Sequence, residues 1–186
     1  MSKQPTAPRS TPLPLSRLNS MSIAEALEHC GGFFEHSPWI VEEALKVRPF
    51  ATLHEFHAAC MDVVNSAGVA RQLELIRAHP DLVGRLAREG RLGKESTHEQ
   101  AAAGLTELTD EEIGTFETYN AAYHDRFGFP FVICARRNRK EAILEALPQR
   151  LEHSKTQEIQ TALAEIGDIA LLRMVDALRE DTEKEK

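Results

Sequence analysis

The sequence lacks long hydrophobic runs. None approaches the roughly 18 to 20 apolar residues that a membrane-spanning helix requires, and the first residues lack the basic-then-apolar pattern of a secretory leader. A cytoplasmic protein with no membrane partner is expected. Cysteine is sparse: Cys30, Cys60 and Cys134 are odd in number and widely spaced, which suits neither a disulfide framework nor a paired-Cys zinc site. They read as reduced, mostly buried small apolar residues. Positive charge is in deficit, with 22 Lys plus Arg against 29 Asp plus Glu and a net charge of -7, so a surface attracted generally to nucleic acid is not expected. Missing too are Val/Ile/Thr-rich alternation long enough to demand a sheet and any internal repeat. What is present is a 186-residue chain with 42% apolar, 27% charged and 6% aromatic residues, the composition of a soluble globular protein with a buried core.

The first twenty residues hold four of the nine prolines, Pro5, Pro8, Pro12 and Pro14, among Ser, Thr, Lys and Arg. Such a composition cannot bury enough surface to order itself, and residues 1–18 are expected to form a flexible Pro-rich tail. From Met21 onward almost every segment follows helical spacing. Ser20 or Ser22 can cap a short helix through about Cys30, which Gly31-Gly32 ends. Further helices are expected over about Trp39–Lys46, Thr52–Ser66, Val69–His79, Asp81–Glu89, Thr97–Leu105, Asp110–Phe127, Arg139–Glu145 and Lys155–Glu180. The pattern is all-α, a single compact multi-helix domain over residues 19–180 with a charged C-terminal tail at 181–186.

Two boundaries put polar side chains at helix ends. Val69, Ala70, Leu73 and Ile76 form one apolar stripe, and Pro80 disfavours helical geometry at His79, so that helix stops there and His79 sits at a corner. Pro80 suits the first position of a following helix, and the carbonyl end of the preceding one would help stabilise a protonated imidazole. Ser96-Thr97-His98-Glu99 has the S-x-x-E form of a capping box before an Ala-rich stretch. In Asn120–Arg136 a helix is broken by Gly128 and Pro130, and an extended apolar segment follows. Its backbone groups, with no sheet to absorb them, need water, side chains or a ligand.

These residues belong to a series of motifs: Gly32-Phe33-Phe34-Glu35-His36-Ser37-Pro38-Trp39, Arg48-Pro49-Phe50, Ala78-His79-Pro80-Asp81-Leu82, Ser96-Thr97-His98-Glu99-Gln100, Arg126-Phe127-Gly128-Phe129-Pro130-Phe131-Val132-Ile133 and Ile169-Ala170-Leu171-Leu172-Arg173. In that order, from about Ser20 to Leu178, the chain resembles the 2-oxo-4-hydroxy-4-carboxy-5-ureidoimidazoline (OHCU) decarboxylase family. The resemblance implies an all-helical, usually homodimeric, cofactor-free carboxy-lyase of urate and purine breakdown that converts OHCU to (S)-allantoin and CO2. It further implies functional coupling to a hydroxyisourate hydrolase. It makes His79 the acid/base group and Glu99 its catalytic partner, which would orient the imidazole. Pro80, Ser96, Gln100, Arg173 and the backbone around Phe131, Val132 and Ile133 become substrate-binding, with Arg173 offering a planar fork for a carboxylate. An imidazole, with an ordinary pKa of about 6.5, exchanges protons near neutral pH.

Taken singly, each of these residues has an ordinary reading. A His before Pro is usually a corner residue, a capping box explains Ser96 and Glu99, and Arg173 shares a stripe with Ile166, Ile169, Ala170 and Met174 as a snorkelling or salt-bridged arginine would. The ordered series of motifs favours the site instead. Of the other histidines only His54 and His57 stand three apart on one helix, a pair that reads as surface or packing. His98 reads as solvent-facing. Trp39, Phe33, Phe34 and Phe50 read as core or dimer contacts. Two rivals are a metal-dependent hydrolase built on His54, His57 and acidic residues, and a helical partner-binding module whose apolar motifs form an interface and whose pocket is empty.

Overall fold

Local sequence chemistry sets most element boundaries in the computed structural model, which describes residues 11–83 and 94–181. The chain enters through a two-residue strand, β1 (Leu13–Pro14), and helix α1 (Leu15–Ser20). Ser22 caps α2 (Ile23–Cys30) in a reciprocal box with Glu25. In α3 (Pro38–Ala44), Pro38 occupies the first turn, where a missing N–H costs little, and a 3-10 turn follows over Leu45–Val47. Thr52 caps α4 (Leu53–Ser66), which leads into α5 (Gly68–Arg77) and α6 (Lys94–Ala102). Thr109 and Glu112 box the start of α7 (Asp110–Phe127). Gly128 ends it at φ 76°, a left-handed conformation that glycine adopts without steric cost. A 3-10 turn over Ala135–Arg137 precedes α8 (Lys140–Leu151), and Ser154 with Gln157 boxes the start of α9 (Lys155–Ala177). The last element, β2 (Leu178–Arg179), runs parallel to β1, with Leu13 opposite Leu178.

The long helix α9 is the axis of the core. It buries Ala162, Leu163, Ile166, Ala170 and Met174 and packs against α2, α4 and α5. Gly167 allows the close approach of α4: a Cβ there would lie 3.0 Å from Met61 Sδ, and His57 Nε2 reaches the Gly167 carbonyl at 2.9 Å. Behind the extended segment, Tyr123, Phe127, Phe129 and Phe131 form a stacked and edge-to-face aromatic cluster. All three cysteines are free and buried, and burial pushes the Cys30 thiol up to about 12, so they are packing residues.

The all-α expectation holds, with corrections at particular elements. The tail boundary near residue 18 falls too late. Leu15 and Leu18 are fully buried, β1 pairs with β2, and Ser16 donates from N and Oγ to Asp181 at 2.9 and 2.6 Å. Residues 1–10 and 182–186 lie outside the described residues. Helix α8 continues beyond Glu145 through Pro148, because Ile143, Leu147 and Arg150 are buried on its inner face and outweigh one lost hydrogen bond. The last helix stops at Ala177, where the chain turns extended to pair with β1. The helix expected over Asp81–Glu89 fails at its start, since Asp81, Leu82 and Val83 are non-helical and Val83 has φ 55°. The remainder of that span lies outside the described residues.

Candidate active site

His79 follows the end of α5, where the helix has just released its last carbonyls. One of them fixes the ring: Nδ1 donates to the Leu75 carbonyl at 3.0 Å, so Nδ1 carries the hydrogen and Nε2 is left with its lone pair. Nε2 is buried without a hydrogen-bond partner among the described residues. Burial depresses the imidazole pKa to about 4, although the Leu75 carbonyl and the Glu35 charge pull the other way. The expectation that the helix end would favour a protonated ring is therefore overturned. Desolvation wins, and His79 is a neutral imidazole at neutral pH.

The expected pairing of His79 with Glu99 is replaced by another. Glu99 receives Arg173 Nε on Oε1 and Nη2 on Oε2, both at 2.8 Å, a two-pronged charge-assisted contact. Arg173 Nη1 donates to the Gly32 carbonyl at 3.1 Å and to Glu35 Oε2 at 3.2 Å. Burial alone would disfavour the Arg173 charge, but Glu99 and Glu35 outweigh it and hold the guanidinium pKa above its ordinary value. Since the fork is taken by Glu99, it is not offered whole to a ligand as the resemblance suggested. The orienting partner of His79 is Leu75.

Ser96, Glu99 and Gln100 lie at i, i+3 and i+4 on α6 and share one buried face, with exposures of 6%, 8% and 6%. A helix that turns its polar face inward is organised around polar partners. Ser96 Oγ donates to Glu35 Oε2 at 3.4 Å, and Gln100 Oε1 accepts from the Val83 N–H at 3.3 Å. The capping-box reading fails, because α6 already begins at Lys94 and Ser96 stands within it.

The extended segment after Phe129 finds its partners in side chains. Arg150 Nη1 donates to the Val132 carbonyl at 2.7 Å, the Cys134 N–H donates to Glu165 at 2.7 Å, and Asn138 donates to the Cys134 carbonyl at 3.0 Å. Arg150 lies over the Phe131 ring and pairs with Glu158, which is also contacted by Tyr123 Oη and by His153 Nδ1 at 2.8 Å. These contacts come from behind and leave the other face of the segment to a cavity.

That cavity, about 400 Å³ including its open mouth, brings together every residue the sequence nominated: His79, Pro80, Ser96, Glu99, Gln100, Phe131, Val132, Ile133 and Arg173. Leu82, Ala135 and Ile169 complete its lining. Glu35 supports it from outside, and sequence reasoning did not single it out although it lies within a quoted motif. His54 is exposed and His57 is occupied by Gly167; no group of three or more potential metal ligands occurs among the described residues. His98 is exposed, as expected.

Comparison with known proteins assigns the chain to a family. The family model for OHCU decarboxylase matches residues 19–175. The 2-oxo-4-hydroxy-4-carboxy-5-ureidoimidazoline decarboxylase of Amia calva is 41% identical over 165 residues, which cover 89% of this chain and 94% of that protein. The uric acid degradation bifunctional protein PucL of Bacillus subtilis is 38% identical over 166 residues, 89% of this chain and 33% of that one. The crystal structure of an (S)-allantoin synthase superposes with a TM-score of 0.73 at 31% identity, over 90% of this chain and 54% of that one. This chain thus spans about half the length of that solved protein. The matched residues include every nominated cavity residue, and the chain belongs to the OHCU decarboxylase family.

Proposed function

We propose that this protein is a carboxy-lyase of urate breakdown that converts OHCU to (S)-allantoin and CO2, with His79 as the proton-transfer group. The observation that carries the reading is the buried Nε2 of a neutral imidazole, without a partner among the described residues, in the same cavity as the Glu99–Arg173 pair. In the substrate, the carbon that bears the carboxylate also bears a hydroxyl and adjoins a carbon–nitrogen double bond. The electron pair left by CO2 forms a double bond between the two carbons as the carbon–nitrogen π pair moves onto nitrogen, which takes a proton drawn from solvent. Nε2 then accepts the hydroxyl proton as the C–O bond becomes the carbonyl, and the same proton is delivered to one face of the ureido-bearing carbon, where the carbon–carbon π pair takes it up. One proton is consumed overall, matching loss of the substrate's negative charge as CO2. The Glu35 carboxylate favours the transient imidazolium against the opposing charge of Arg173, and Leu75 holds the ring in place.

OHCU made freshly by oxidising urate tests the reading through circular dichroism. Optical activity should appear far faster with protein than without, and equal rates would defeat the proposal. His79→Ala should lose turnover by about 10²- to 10⁴-fold, the usual scale of general acid–base help, with helicity unchanged. Undiminished turnover would remove His79 from the mechanism.

The protein is further read as a cytoplasmic homodimer coupled to a hydroxyisourate hydrolase. No helix of the described residues is long and apolar enough to cross a membrane, and the bifunctional name of the Bacillus relative supports a coupled neighbouring activity. Sedimentation of the purified chain should give twice its 20.8 kDa mass; a monomer at all concentrations would refute the dimer.

A further inference from the structure

Arg173 is shared between two carboxylates, of which only Glu99 faces the cavity. The other, Glu35, stands in the loop between α2 and α3 with its side chain 15% exposed. Its Oε2 lies 3.2 Å from Arg173 Nη1 and accepts from Ser96 Oγ at 3.4 Å, so it touches two cavity residues without lining the cavity. The next residue, His36, has φ 46°, an uncommon left-handed conformation at the point where the loop presents this carboxylate.

A guanidinium has five N–H groups. Glu99 takes one on Nε and one on Nη2, and the two on Nη1 go to the Gly32 carbonyl and Glu35. Held on both edges, the guanidinium plane cannot swing, and its remaining Nη2 hydrogen keeps one direction. Among the described residues, two carboxylates against one guanidinium, beside an uncharged His79, also leave a surplus of negative charge around Arg173. A substrate carboxylate meets that surplus in the ground state and is relieved of it as neutral CO2 forms.

We propose that Glu35 is a positioning residue for the decarboxylation: it locks the Arg173 plane against Glu99, tethers Ser96, and sets the charge that the substrate carboxylate meets. This rests on the decarboxylase reading above.

Steady-state kinetics on fresh OHCU separate geometry from charge, with circular dichroism and thermal unfolding run in parallel. Glu35→Gln keeps an acceptor of the same shape but removes the charge, so KM and kcat should both fall severalfold, with kcat/KM near wild type. Glu35→Ala frees the guanidinium edge, and kcat should fall roughly tenfold, the scale of one charge-assisted hydrogen bond. Wild-type kcat and KM in both variants, with or without a lower Tm, would reduce Glu35 to a structural residue and overturn the proposal. So would a raised KM in Glu35→Gln, which also decides the matter if Glu35→Ala does not fold. A wild-type protein without turnover would instead sink the decarboxylase reading itself.

Discussion

His79 shows how burial and one backbone contact decide a side chain's chemistry. An exposed imidazole at a helix end would be half-protonated near its ordinary pKa of about 6.5. Here burial drives the pKa down to about 4, and in the proposed role the ring would accept a proton without needing to lose one first. Activity should therefore persist well below pH 6 and fall only as pH approaches about 4, as a profile of kcat/KM would show. A fall centred near pH 6.5 would mean that the ring is solvated. The same depression links to stability. Between about 6.5 and 4 the unfolded chain binds a proton that the folded chain refuses, so the contribution is full above that window and is lost as pH falls through it. Denaturant midpoints at pH 7 and pH 5 should accordingly differ less for His79→Gln than for the wild type; equal differences would deny the linkage. That His79 stood at a corner was legible from Pro80. That burial would outweigh the helix end was not, because no local sequence specifies what covers a residue.

Among the elements, α6 and the segment after Phe129 carry the site, and both depart from local rules. The S-x-x-E pattern signals a cap, yet Ser96 and Glu99 face inward from within α6 and meet Glu35 and Arg173, residues 61 and 74 positions away. Local pattern cannot distinguish a carboxylate that returns to its own backbone from one that crosses the core to a guanidinium. The extended segment was recognisable from Gly128 and Pro130, as was its need for partners. Their identity came from α8 and α9, through Arg150 and Glu165. Arg150→Met should strip a guanidinium from Glu158, which is fully buried, and leave the Val132 carbonyl without that donor. Breaking a buried pair in this way typically costs about 3–5 kcal/mol, measurable by urea denaturation. A loss below about 1 kcal/mol would place the pair among exchangeable contacts.

At the scale of the whole molecule, the two ends of the described chain close on each other. Leu13 and Pro14 pair with Leu178 and Arg179, and Leu15 and Leu18 insert into the core. Leu18→Ala should destabilise the protein by about 2–5 kcal/mol, the usual cost of emptying a fully buried leucine site, as read from a chemical denaturation curve. Denaturation unchanged from wild type would restore the view of this region as a tail. Composition misled here because prolines dominate the average over the first twenty residues, whereas ordering depends on two leucines three apart and on the surface that receives them. By itself the sequence determined the helical class, most of the caps, and the cavity residues, which the resemblance nominated by motif, because periodicity and capping are short-range and the motifs stand at fixed positions. Only the tertiary structure decided that Glu99 binds Arg173, that Leu75 fixes His79, that Glu35 braces the site and that the N-terminal leucines are core. Each depends on which distant surfaces meet, and therefore on desolvation and long-range pairing that no local window of residues contains.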